Sequence, residues 1–137
     1  MSIISDASHP TAGAATHWLR VEGIAVLAIS VFLYAQGEHG WILFLALLLV
    51  PDLSMVGYAS GPRVGATVYN LAHTYTSPVL LALLGLLSRQ LLIVDIALIW
   101  AAHIGMDRML GYGLKLPDGF QHTHLGTIGR GKRPTTP

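Results

Sequence analysis

Four long apolar runs, joined by turns of three to five residues, leave this chain few ways to fold. They cover about 18–36 (WLRVEGIAVLAISVFLYAQ), 41–58 (WILFLALLLVPDLSMVGY), 64–87 (VGATVYNLAHTYTSPVLLALLGLL) and 91–112, and the turns between them read GEHG, ASGPR and SRQ. A bilayer core takes roughly 20 apolar residues per helix, within about 17–25. Each run meets that length, and turns this short force consecutive helices to lie antiparallel. The expected fold is all-α: a four-span transmembrane helix bundle of up-down topology over 17–113. A flexible N-terminal arm (1–16) precedes it, and a polar cytoplasmic C-terminal tail (114–137) follows and could fold back over the bundle.

Composition points the same way. Only 11% of the residues are charged and 53% are hydrophobic, against about 25% charged in a soluble domain. The bilayer is the expected partner, and a homo-oligomer is a second candidate. A net charge of +1 gives no reason to expect a nucleic-acid partner. There is no cysteine, which excludes disulfides and thiolate metal sites. The first residues, MSIISDASHPTAGAATHW, lack the basic start and apolar core of a cleaved signal peptide.

With four spans, the N-terminus, the second turn and the tail share one side. That side holds Arg20, Arg63, Lys115, Arg130, Lys132 and Arg133; the other holds Arg89, with Glu38. The positive-inside rule then places both termini in the cytoplasm. Trp18, Tyr34, Trp41, Tyr58 and Tyr112 fall near span ends, where interfacial aromatics collect; Trp100 falls mid-span. Pro51 and Pro78 lie inside spans and are expected to kink them.

The stretch HIGMDRMLGYG (103–113) raises a sharper question, because charges at the end of an apolar span are expensive and by default mark function. Counted from the cytoplasmic ends, Glu22, Asp52, Asn70, His73, His103 and Asp107 all lie roughly 6–14 Å deep at a 1.5 Å rise per residue. One layer thus draws on every span. His103 and Asp107, and likewise Tyr69 and His73, are spaced to share a helix face. In the tail, FQHTHLG adds His122 and His124, with Phe120 and Leu125 able to bury at the bundle mouth. Asp95 is expected to be an isolated interfacial charge.

Imidazole and carboxylate groups suit zinc, iron or manganese. The expected metal ligands are His73, His103 and Asp107, with Asp52 and His124 as additional ligands. Glu22 is the candidate general base on a metal-bound water. Tyr69, Asn70, Arg108 and His122 support the site. The alternative is a polar network that binds helices together, with Arg108 on Asp52 or Glu22, or a proton path built from the same groups.

The segments WLRVEGIAVL, VPDLSMVGY, GPRVGATVYNLAHTYTSP and HIGMDRMLGYGLKLPDGFQHTHLG resemble the small bacterial membrane family catalogued as domain of unknown function 4260, over about 17–129. That resemblance implies a multi-pass membrane protein and supplies no activity; the expected location is the bacterial inner membrane. PDL (51–53), HTYTS (73–77) and HIGMD (103–107) are more weakly similar to inner-membrane metal-dependent hydrolases. Ser54 stands where those carry a second aspartate, and their His-Arg-x-x-His run is absent. The leading expectation is a metal-dependent membrane enzyme, hydrolase-like, acting on a lipid or other amphipathic substrate. The alternative is a non-enzymatic membrane protein, a proton-coupled carrier subunit or a structural partner.

Overall fold

A computed structural model describes residues 10–117, 120–124 and 126–127, without the side chains at 10–12, 122 and 126–127. Its α-helices are α1 (Pro10–Ala35), α2 (Trp41–Leu48), α3 (Pro62–Ala72), α4 (Thr76–Leu87) and α5 (Leu91–Leu110). A 3-10 helix (Val50–Ser60) joins α2 to α3, and β1 (His122–Thr123) pairs antiparallel with β2 (Gly126–Thr127) in the tail. The all-helical expectation holds. α1 starts earlier than hydropathy suggests, with Pro10 opening it; proline suits a first turn, where its missing N–H is not needed.

Two segments, 13–35 and 41–60, are long and apolar enough to cross a membrane, and the bent pair α3–α4 makes a third if counted as one span. α5 has the length but carries Asp95, Asp107 and Arg108. It is also the helix the others gather on, packing against α1, α2 and α4. Tyr34, Phe44, Ile99 and Ala102 form the buried cluster between α1, α2 and α5. α1 crosses α5 at Gly23 and Gly105: a Cβ on Gly105 would stand 2.8 Å from the Gly23 carbonyl oxygen. Small residues at such a crossing let membrane helices approach closely. Trp18, Phe32, Ile42, Leu45, Val56 and Leu87 face outward and exposed; so apolar an exterior matches hydrocarbon better than water.

Both prolines inside the apolar runs reshape their helices. α2 stops just before Pro51, and the chain continues as 3-10 helix for 11 residues, where runs beyond 3–4 are uncommon. With three residues per turn, side chains three apart stack in rows. Asp52, Met55 and Tyr58 make one row and Pro51, Ser54 and Gly57 another, while Leu53 and Val56 point outward. A 3-10 helix rises about 2.0 Å per residue, so α2 and this run together reach about 34 Å. Gly61, at φ +104°, ends the run in a conformation that other residues resist.

The second break falls between Ala72 and Thr76 and bends the path by 42°. The expected kink at Pro78 is thus a break one turn earlier. Proline clashes with the carbonyl four residues back, so the helix halts and restarts with Pro78 inside the first turn of α4. The freed carbonyls all find donors. Ser77 Oγ donates to Leu71 O (2.6 Å), Trp100 Nε1 to Ala72 O (2.6 Å), and Arg108 Nη2 to His73 O (3.2 Å). Buried backbone acceptors need such partners. This accounts for the mid-span Trp100.

Asp95 corrects an expectation. Rather than standing alone at the interface, it is buried and lies 2.5 Å from His39 Nδ1 in the α1–α2 turn.

Candidate metal centre

Three elements bring their polar side chains to one point. The 3-10 row supplies Asp52, the end of α3 supplies His73, and one face of α5 supplies His103 and Asp107. One ligand atom from each of these four residues lies within 4.8 Å of every other. His73 Nε2 is 3.1 Å from His103 Nε2, 3.3 Å from Asp52 Oδ1 and 3.5 Å from Asp107 Oδ2. His103 Nε2 is 3.4 Å from Asp52 Oδ1 and 3.6 Å from Asp107 Oδ2. A tetrahedral ion with bonds of about 2.0–2.1 Å has ligand atoms about 3.3–3.4 Å apart. The measured edges bracket that value. Both imidazoles are buried, and the Asp52 side chain is the most open of the four at 34% exposure.

The tautomer of His73 decides what its ring offers. Its Nδ1 lies 2.9 Å from the Tyr69 carbonyl oxygen. A carbonyl only accepts, so Nδ1 carries the proton and donates it. In neutral His73 the Nε2 lone pair is then aimed at two carboxylate oxygens and a second imidazole nitrogen. A backbone carbonyl in this role is the usual outer partner of a metal-binding histidine. Tyr69 also stacks on the His73 ring, with centroids 3.7 Å apart and planes 10° off parallel, and its hydroxyl donates to Asp107 Oδ2 at 3.5 Å. His103 Nδ1 is buried without a hydrogen-bond partner among the described residues.

The remaining sequence candidates sit around this group or away from it. Asn70 grips the backbone of Lys115 from both sides: its Nδ2 donates to Lys115 O (2.8 Å), and Lys115 N donates to its Oδ1 (2.6 Å). Arg108 spends its guanidinium on the carbonyls of Tyr112 (3.1 Å) and His73, so it orders backbone instead of pairing with Asp52 or Glu22. His124 is exposed and outside the four; its Nδ1 accepts from Leu114 N at 2.8 Å. Burial first, and Arg108 second, push the His124 imidazole below its usual range. Glu22 is exposed on α1 and is not one of the clustered residues. His122 opens β1, and its side chain, like Leu125, lies outside the described residues.

Residues 16–128 match the family described as domain of unknown function (DUF4260). The chain belongs to this family. No curated protein and no solved structure matches it, so the weaker likeness to membrane metal-dependent hydrolases gains no support. The match spans all four clustered residues, Asp52, His73, His103 and Asp107.

Two residues matter here that the sequence did not single out for the site. Lys115 is buried at 5% exposure. Its Nζ donates to Phe120 O (2.8 Å) and lies over the Phe120 and Tyr69 rings, 4.0 and 5.2 Å from their centroids. Burial pushes the Lys115 ammonium down from the ordinary lysine range, opposed by Asp107. Phe120, expected from the sequence to bury at the bundle mouth, packs edge-on against Tyr58 at 5.3 Å but stays 45% exposed. Trp100 is the other: an indole N–H deep in an apolar span needs an acceptor, and that need was the available signal.

Proposed function

We propose that this DUF4260 protein is a four-span inner-membrane protein with cytoplasmic termini, and that Asp52, His73, His103 and Asp107 hold a divalent zinc, iron or manganese ion. α5 is its central fourth span. At about 1.5 Å per residue its 20 residues cover the roughly 30 Å hydrocarbon core. Asp95 and Arg108 are buried against protein, and Asp107 faces the ligand group. The basic residues named above favour the cytoplasmic assignment of the tail.

One observation carries the metal reading. Four ligand atoms converge within 4.8 Å, the five edges that involve an imidazole being 3.1–3.6 Å, while the proton of His73 is committed to the Tyr69 carbonyl. A single proton on His103 can satisfy one of these contacts, whereas a dication satisfies them all. Two aspartates and Tyr69 also line a cavity of about 290 Å³, which gives a bound ion access to a substrate. An ion there would supply Lewis-acid polarisation and an ionised water. That chemistry would suit hydrolysis of an ester in an amphipathic molecule: the water oxygen would bond to the acyl or phosphoryl centre as the ester C–O or P–O bond breaks, one water proton going to the leaving oxygen and the other to solvent as the acid product ionises. Glu22 is not among the residues lining this cavity, so the base role belongs to a nearer group.

Elemental analysis of detergent-purified protein beside a His103→Ala variant tests the reading. Close to one divalent ion per chain is expected in the parent and a large loss in the variant, since metal affinity here is built from the ligands themselves. A parent protein that folds fully and stays metal-free after reconstitution would instead favour a polar network that binds helices.

A further inference from the structure

A second cavity, of about 320 Å³, lies on the other side of the ligand layer. Its wall is almost entirely hydrocarbon and includes Pro51, Ser54, Ala72, Ile96, Ile99 and Trp100. Successive turns of α5 make the relation plain. Ile96, Ile99 and Trp100 line the apolar cavity, His103 and Asp107 hold the ligand positions, and Tyr112 and Lys115 beyond the helix line the polar cavity. The 3-10 rows repeat the division: Pro51 and Ser54 face the apolar side, while Asp52 and Met55 face the polar one. On α3, Tyr69 belongs to the polar wall and Ala72 to the apolar wall, with His73 next to it. The candidate metal centre therefore sits where a hydrocarbon compartment meets a polar one.

Charge defines what the polar side accepts. A dication would balance the two aspartates, leaving the Lys115 ammonium as the uncompensated charge on the cavity wall. An ammonium has three protons to give, and the Phe120 carbonyl takes one. The apolar cavity is at the small end of ligand pockets, about 300–1,000 Å³, which suits one alkyl chain and not two. Ser54 Oγ, buried and without a hydrogen-bond partner among the described residues, belongs to a residue on the apolar wall.

We infer that the ligand of this centre is an anionic single-chain amphiphile, with its alkyl chain in the apolar cavity and its phosphate or carboxylate head on Lys115. This rests on the metal reading for its chemistry and on the two cavities for its binding. Trp100 provides the probe. In a Trp18→Phe/Trp41→Phe background it is the remaining tryptophan, and a chain-brominated ligand in the apolar cavity quenches it. The protein, in a neutral maltoside detergent, is titrated with a brominated alkyl phosphate, a brominated fatty acid and a brominated alkyl glucoside, with metal content measured on the same samples.

Saturable quenching by either anion and not by the glucoside is expected, and the stronger of the two identifies the head group. Lys115→Met should weaken binding by about 10- to 100-fold, the worth of one charge-assisted contact, with metal content unchanged, and Lys115→Arg should restore it. Ser54→Leu, which fills the apolar cavity, should remove the quenching. Equal quenching by the glucoside, or none by either anion, in protein carrying its metal overturns this inference and leaves the metal centre standing. Saturable, anion-selective quenching in protein that binds no metal upholds the binding mode and overturns the metal centre instead.

Discussion

Replacing Asp107 by asparagine removes a charge from the ligand layer and almost none of its volume. Asp107 Oδ2 lies 3.5 Å from His73 Nε2 and 3.6 Å from His103 Nε2, so the change strikes the group at a shared corner. Four-ligand structural zinc sites bind with about 10–16 kcal/mol, or roughly 2.5–4 kcal/mol per ligand. An amide oxygen keeps a weak donor but loses the charge, so a loss of about 3 kcal/mol is expected, close to a hundredfold in dissociation constant. Competition with a chromophoric chelator in detergent measures it directly. Glu22→Gln and His124→Gln, both outside the four, should stay within about threefold of the parent, under 1 kcal/mol. The metal-free proteins give a second readout of opposite sign. Two carboxylates and a neutral imidazole lone pair crowd the empty group, so apo Asp107→Asn should melt no lower than the apo parent. A purely structural network requires the reverse, because breaking a buried polar network destabilises. Unchanged metal affinity in Asp107→Asn, together with a lower apo melting point, would refute the reasoning.

The other predictions concern the parts that hold the ligands. Asn70→Ala should free the Lys115 backbone from its two hydrogen bonds at a cost of about 1–3 kcal/mol, seen as faster proteolysis within 113–124 while α-helical signal is kept. Trp100→Phe should leave the Ala72 carbonyl unpaired and lower thermal stability by about 1–3 kcal/mol, whereas an apolar packing role for Trp100 alone predicts almost no change. Tail docking should depend on pH through His124. Its folded-state pKa is depressed, so the undocked tail binds more protons; docking is complete above the unfolded value of about 6.5 and is lost as pH falls through the folded value. Protease protection of the tail should therefore drop between neutral and acid pH, and His124→Gln should flatten that dependence. Pro78→Ala should allow α3 to run on into α4, turning His73 away, with metal affinity falling about 10- to 100-fold as for a disturbed outer partner and helicity unchanged by circular dichroism.

Much of this was legible from the chain because it follows from spacing along single helices. His103 and Asp107 are four apart on α5, and Tyr69 and His73 four apart at the end of α3; a helix brings such pairs together whatever surrounds it. Equal depth then brought in Asp52 from the preceding segment. Depth alone did not say which way a helix turns, and this is where Glu22 parted from the group: it stands beside Gly23, where α1 meets α5 backbone to backbone and has no room for a ligand between them. The Gly23–Gly105 contact escaped the sequence because it is one glycine on each of two helices, not a stripe on either. Lys115 was counted only as a cytoplasmic charge, since nothing local reveals that Asn70 on another helix will fix its backbone. Asp95 found His39 across a turn, a pairing invisible until α1 and α5 are known to pack.

The two prolines connect these observations. In hydrocarbon a broken helix is tolerated only where protein or a cavity receives its freed backbone groups. Here both breaks open onto the ligand layer. At the first, the change to three residues per turn sorts neighbouring side chains onto different walls, so that Pro51 and Asp52, adjacent in sequence, face an apolar and a polar cavity. At the second, the early end of α3 makes His73 its capping residue, with backbone N and ring Nδ1 both on the Tyr69 carbonyl at 2.9 Å. The side chains that answer the freed carbonyls, Trp100 and Arg108, come from α5, the same helix that supplies His103 and Asp107. Satisfying the backbone and registering α3 against α5 are thus one requirement, and the geometry of the four ligand atoms is its consequence.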